Sequence, residues 1–248
     1  MNANVDKNIY VLKYYYDDQQ GYTLSNNDYL TQDNYYKIQK FAQPYGQKWF
    51  KYIGIESVKQ FPISKEYLAI SYSKISSQKD ELGRTGILDT YVVVMPASQY
   101  NFLIAWNLRI YKTVIKQLIN ENMFINKYIP LSDFIRITSK IQVSISDISY
   151  YPEYYSPSTH PQIDKIINRI VKGKKVILTS SFQSNSTWHK IENYFNHVLL
   201  RLPYKIRSNI SYTTFCLSNN ESTQFFGIPS EEFATLNSFN KDDVFIIP

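Results

Sequence analysis

Apolar positions recurring every second residue, or every third and fourth, divide the chain into strands and helices. Ile9 and Val11 alternate with polar neighbours and predict an opening strand through about residue 16. The stretch 17–60 is polar, carries Gly21, Pro44, Gly46 and Gly54, and holds one short predicted helix near 34–41. A strand at 67–72, a polar loop at 73–82 and a second strand at 87–95 follow; the last ends in Val92, Val93 and Val94, a run that calls for burial on both faces. Next, Leu103, Trp106, Ile110, Val114 and Leu118 share one helical face, which predicts a long buried helix over about 97–120. Ile141, Val143 and Ile145 alternate with Gln142 and Ser144 and predict another strand.

The second half has cleaner punctuation. Pro161 suits a first helical position, Ile163, Ile166, Ile167 and Ile170 form one face, and Gly173 supplies the stop. A short buried strand is predicted at 176–179. Ser186 or Thr187 then caps a helix whose Trp188, Ile191, Phe195, Val198, Leu199 and Leu202 line one side until Pro203. Strands are predicted at 209–217, 225–228 and 244–247. Strand, helix, strand at this spacing is a βαβ crossover with parallel strands. The expected fold is mixed α/β: an N-terminal sheet with a long buried helix over 1–150, a Pro- and Tyr-rich linker at 151–160, and a βαβ-containing lobe over 161–248.

Composition narrows the function classes. With 248 residues, 44% hydrophobic and 16% aromatic, the chain can bury a sizeable core. Its purest apolar runs, 91–95 and 102–106, fall far short of the ~20 residues that cross a bilayer. Residues 1–10 carry Asp6 and Lys7 and no apolar run, so no secretory signal is expected and the protein is placed in the cytoplasm. The single cysteine, Cys216, excludes an internal disulfide framework and multi-cysteine zinc patterns. Only seven glycines occur, with neither GxGxxG nor GxxxxGK[ST], so neither Rossmann nor P-loop nucleotide binding is expected and no cofactor is assigned.

The net charge of +6 permits nucleic acid or an acidic partner without demanding either. Lys172, Lys174 and Lys175 flank Gly173 at a predicted helix end, where cations meet the helix dipole favourably. Tyrosine clusters such as Tyr14, Tyr15 and Tyr16, or Tyr150, Tyr151, Tyr154 and Tyr155, would fit base stacking. Biased composition and half-buried strands explain them better.

Catalytic groups do not converge. His189 and His197, eight apart on one predicted helix, sit about 12 Å apart along its axis and cannot share a metal; His160 lies in the Pro-rich stretch. A Cys216 thiolate paired with a histidine is conceivable chemistry, yet a lone cysteine in a strand is more often buried and inert. The adjacent acidic pairs, such as Asp17 and Asp18 or Glu231 and Glu232, read as solvated turns. No enzyme activity is assigned. One polar feature stands out: Gly83 and Gly86 bracket Arg84 and Thr85 just before the buried strand, a place where a tight turn could present a guanidinium to an anion or a partner, or as a hairpin turn to solvent or a carboxylate.

The segment 81–95, with Arg84, Gly86 and Thr90, resembles the "R-x-G-x-x-x-T-H" turn and apolar strand of the N-terminal domains of bacterial and archaeal GTPase-associated proteins. The run 202–215, with Leu202, Pro203, Arg207 and Ser211, resembles that family's "L-P-x-x-x-R-x-x-[IF]-S-[YF]-x-T" segment, and Gly227, Ile228 and Pro229 resemble its closing strand. Tyr91 stands where the family pattern has His. The resemblance implies a non-catalytic component working with a GTPase, in a defence or conflict system. A sheet and long helix followed by a βαβ lobe is also similar, at fold level, to longin- and DENN-type modules. The expected contact residues are Gly83, Arg84, Gly86, Thr90 and Arg207. The competing reading is a basic, Tyr-rich nucleic-acid-binding protein of a virus or mobile element.

Overall fold

The computed structural model describes residues 8–17, 21–43, 49–79, 83, 86–99, 108–146, 161–182, 185–218, 223–235 and 240–247. Among the described residues ten strands form one mixed sheet: β1 (Asn8–Asp17), β2 (Gly21–Leu24), β3 (Glu56–Pro62), β4 (Tyr67–Ser76), β5 (Ile87–Pro96), β6 (Tyr128–Pro130), β7 (Val176–Ser180), β8 (Tyr212–Thr213), β9 (Phe225–Pro229) and β10 (Val244–Ile246). The order is β10-β7-β9-β8-β3-β4-β5-β1-β2, with β6 also pairing β1. From β3 to β2 the ladders are antiparallel; β10, β7, β9 and β8 are parallel to one another. The antiparallel β3–β8 pairing, Lys59 opposite Thr213, joins the two regions. The sheet thus runs unbroken across the boundary expected near residue 150.

Six α-helices are described: α1 (Gln32–Phe41), α2 (Leu108–Asn120), α3 (Leu131–Ser146), α4 (Pro161–Val171), α5 (Asn185–Arg201) and α6 (Tyr204–Arg207). Helices α2 to α5 contribute to one large apolar core with the sheet, including Tyr111, Phe134, Ile166 and Phe195. Tyr111 Oη donates to the Ile70 carbonyl at 2.8 Å and ties α2 to β4. On the opposite face, α1 covers Tyr10, Leu12, Val92 and Val94 through Ile38. The parallel strands have a smaller cluster on that side, Ile177, Cys216, Phe226 and Ile228, with Phe233 packed against it. Among the described residues no helix is long and apolar enough to cross a membrane.

Local signals explain the elements read correctly. Thr31 Oγ1 accepts from the Asn34 N–H at 3.3 Å and caps α1. At the end of α4, Gly173 takes φ +70°, and the Gly173 and Lys174 N–H groups donate back to Ile170 and Arg169, closing the helix in a Schellman arrangement. Val92, Val93 and Val94 are all fully buried, as the apolar run requires.

Four expectations need correction. The strand expected at 141–145 belongs to α3, because Phe134, Ile137, Thr138 and Ile141 make a buried i, i+3, i+4, i+7 stripe that a shorter window reads as alternation. The helix expected from residue 97 is a 3-10 turn at Ala97–Gln99 and then α2 from Leu108; Leu103 and Trp106 lie outside the described residues. The loop expected at 73–82 is strand as far as Ser76, since the Ser73 hydroxyl pairs with that of Thr90 at 2.8 Å across the ladder and is buried without loss. The strand expected at 209–217 shrinks to Tyr212–Thr213. Beyond it, the Thr214 hydroxyl accepts from the Val58 N–H at 2.9 Å, so a side chain supplies what a ladder carbonyl would. The βαβ strands β7 and β8 are parallel, with β9 inserted between them. The linker expected at 151–160 lies outside the described residues.

Candidate functional site

Gly83 and Gly86 both have positive φ, +76° and +80°, the left-handed region that glycine enters without Cβ strain. They differ in surroundings. A Cβ on Gly83 would meet nothing within 4 Å, whereas one on Gly86 would sit 2.7 Å from the Phe50 Cα and closer still to its nitrogen. Gly86 therefore lets the turn press against the 3-10 segment Trp49–Tyr52. That segment is anchored from below: Trp49 and Tyr52 both pack on Phe215, at ring separations of 6.1 and 5.3 Å. Tyr52 Oη donates to Glu232 at 2.9 Å. Burial, and then the Glu232 carboxylate, hold the Tyr52 phenol well above its ordinary range, so it stays a donor. With its neighbours fixed, Phe50 is left 54% exposed. Across the turn the Leu88 N–H donates to Tyr22 Oη at 3.2 Å, placing a second partly exposed ring there. Exposed Ile53 follows directly on Tyr52.

The residues expected to share this contact are not all together. Thr90 is fully buried with its hydroxyl on Ser73, so it shapes the sheet beneath the turn and meets no partner. Arg207 is tied to the far end of β3: its carbonyl accepts from Gln60 Nε2 at 2.8 Å, and its Nη1 donates to the Leu199 carbonyl at 3.3 Å. Gln60 pairs with Ile70, six residues along β4 from Ser76, whose carbonyl accepts from Gly86. At ~3.3 Å per residue the two sites are about 20 Å apart. Arg84 lies outside the described residues. Phe50, Tyr22 and Ile53 escaped the sequence reading because the polar stretch around them has no periodicity.

Among the described residues Cys216 is not paired with a histidine. Cys216 is buried in the cluster with Ile177 and Phe226, its Sγ 3.4 Å from the Gly227 carbonyl. Burial pushes its thiol up to about 12. Helix α5, which carries His189 and His197, packs on the opposite face of the sheet through Ile191, Phe195 and Val198.

A polar cleft of about 420 Å³ lies between α2 and α5, floored by Glu56 of β3. Lys112, 8% exposed, is ion-paired with Glu192 and lies 3.5 Å from Glu56. Glu56 also pairs with Lys116 at 2.6 Å, and Glu192 Oε2 lies 3.3 Å from His189 Nδ1. The result is an alternating chain, Lys116, Glu56, Lys112, Glu192, His189. Burial alone would raise the Glu56 carboxyl, but the Lys116 bond and the charges of both lysines outweigh it and hold it below the usual range. The Glu192 bond raises His189 despite opposing desolvation. Each member of this chain has an oppositely charged neighbour, so it clips β3, α2 and α5 together, and Arg109 also lines the cleft. Its signal in the sequence is the helical spacing of Lys112 with Lys116 and of His189 with Glu192. Among the described residues no group of three or more His, Cys, Asp or Glu side chains is placed to hold a metal.

The sequence matches no protein-family model, and no curated protein matches it.

Proposed function

We propose that the protein is a non-catalytic, cytoplasmic interaction module that works with a GTPase in a defence or conflict system, its contact centred on the 83–86 turn. The observation that carries the contact is the exposed Phe50 ring, held beside Gly86 on an anchored 3-10 segment with Tyr22 across the turn. Aromatic side chains on rigid supports are the usual anchors of protein interfaces, because they bury large area at small cost in side-chain entropy. Arg84, which stands between Gly83 and Gly86 in the sequence, is of a type suited to pairing a partner carboxylate or phosphate. The choice of a GTPase rests on the resemblance of the 81–95 and 202–215 segments.

The test is to recover the tagged chain from its native host at low and at moderate salt and to identify what accompanies it. A GTPase retained at moderate salt by the wild type, and lost with Arg84→Ala or Phe50→Ala, is the expected result. Nucleic acid held at low salt and released at moderate salt, with no protein retained, would replace this reading with the basic-protein alternative that the +6 charge permits.

A further inference from the structure

The parallel strands β10, β7, β9 and β8 all end at the same edge of the sheet. From the end of β7 the chain passes through α5 to β8, crossing β9 on the face of the large core. From the end of β9 it passes through the 3-10 segment Ser230–Thr235 to β10, crossing β7 the other way; Phe233 of that segment packs on the opposite face. Neighbouring strands β7 and β9 therefore send their connections in opposite directions over opposite faces. That is a topological switch point, and in open α/β sheets the crevice outside the strand ends at such a point is where ligands bind.

A crevice of about 440 Å³ lies at this place, within the range of small-molecule sites. Thr179, Ser180, Ser181 and Ser230 form its strand-end side, and Phe233, Val244 and Ile246 its apolar side. Thr179 is 4% exposed, and its Oγ1 has no hydrogen-bond partner among the described residues. A buried hydroxyl left unpaired is costly and calls for an occupant. The Thr179 Oγ1 is closed to solvent, so an occupant must displace a side chain to reach it; Ile246, opposite Thr179 in the β10–β7 register and 71% exposed, is the most exposed apolar side chain of the lining.

The lining also sets the charge of the occupant. No described lining residue is charged. The Phe182 N–H, just past the end of β7, already donates to the Glu231 carboxylate at 3.0 Å, where a nucleotide site would offer its N–H to phosphate. We propose that the crevice binds an uncharged heteroaromatic molecule of nucleobase or nucleoside size, whose acceptor atom takes a hydrogen bond from Thr179. The site is separate from the 83–86 turn and does not depend on the partner proposed there.

The experiment is methyl-detected NMR of the full chain with adenosine, guanosine and indole as probes, each to about 5 mM, enough to reveal millimolar binding. The expected result is saturable shifts of the Thr179, Val244 and Ile246 methyls with at least one probe. Thr179→Val, which keeps the volume and removes the hydroxyl, should weaken that probe about three- to tenfold without lowering Tm. Ile246→Trp, at an exposed position, should block it. No saturable shift with any of the three, shifts confined to other regions, or an unchanged affinity in Thr179→Val would overturn the proposal. So would adenosine 5′-monophosphate binding as tightly as adenosine, since the site is argued to take neutral ligands.

Discussion

On the face of the sheet away from α2 and α5, the antiparallel strands bury Ser57, Lys59, Ser71, Ser73 and Thr90 beside the apolar residues under α1, such as Val92 and Val94, whereas the parallel strands bury Ile177, Phe226 and Ile228 beside Cys216. The polar set is stitched by specific bonds: Ser57 Oγ donates to the Phe215 carbonyl at 3.0 Å, Ser71 Oγ to Ala42, and Lys59 Nζ to Gln43 at 3.3 Å. The apolar set is held by transfer from water and by packing. Directional bonds fix the register and hold the end of α1 against the sheet; non-directional packing leaves a crevice at the strand ends. The two halves thus present two kinds of surface, a braced aromatic turn and an apolar pocket.

The largest effect that would sharpen this contrast is in the apolar half. Phe226, clustered with Ile177, Cys216 and Ile228, is 1% exposed; Phe226→Ala should cost about 3 to 5 kcal/mol in chemical denaturation. A cost below about 1 kcal/mol would show that packing there is loose.

Lys59 probes the polar half with the opposite sign. Burial pulls its ammonium from 10.5 down to about 7. Between those values the unfolded chain holds the extra proton, so stability should rise as pH climbs from about 7 toward 10. Below 7 the full penalty of the buried charge remains. Above ~10 the trend reverses, because burial holds the Tyr111 and Tyr212 phenols above their unfolded value, so the unfolded chain ionises first. Lys59→Met should therefore stabilise the protein at neutral pH by on the order of 2 to 4 kcal/mol and flatten the rise. Destabilisation by that substitution would mean that the Lys59 bonds outweigh its desolvation.

The two turn glycines separate conformational strain from close approach. Gly86→Ala meets both, a positive φ and the Phe50 backbone, and should cost more than about 2 kcal/mol; Gly83→Ala meets only the first and should cost about 1 kcal/mol. Equal costs in thermal unfolding would show that the turn does not press on the Trp49–Tyr52 segment.

Much of the parallel half was legible in the sequence because its signals are local: Pro161 opens α4, Gly173 closes it, and the face from Trp188 to Leu199 has one period. The antiparallel half hid its extent, since the serines at 71, 73 and 76 read as a loop until Thr90, seventeen residues from Ser73, gives one of them a partner. Short windows also misled: Ile141 belongs to a helical stripe that starts at Phe134. For the site, the glycine turn was visible from its residues, but Phe50 and Tyr22 reach it through tertiary packing, and Thr90 and Arg207 leave it for the same reason. The order of β9 between β7 and β8, on which the strand-end crevice depends, is not encoded in any one segment.

The central claim is that a protein partner docks on the braced turn. The most direct measurement is the affinity of the copurifying partner for the wild type and for Phe50→Ala at moderate salt, with unfolding followed in parallel. The account predicts at least a 30-fold loss, about 2 kcal/mol, for the variant at unchanged Tm, the signature of an interface anchor. Equal affinities for the two proteins, with Tm also unchanged, would contradict it.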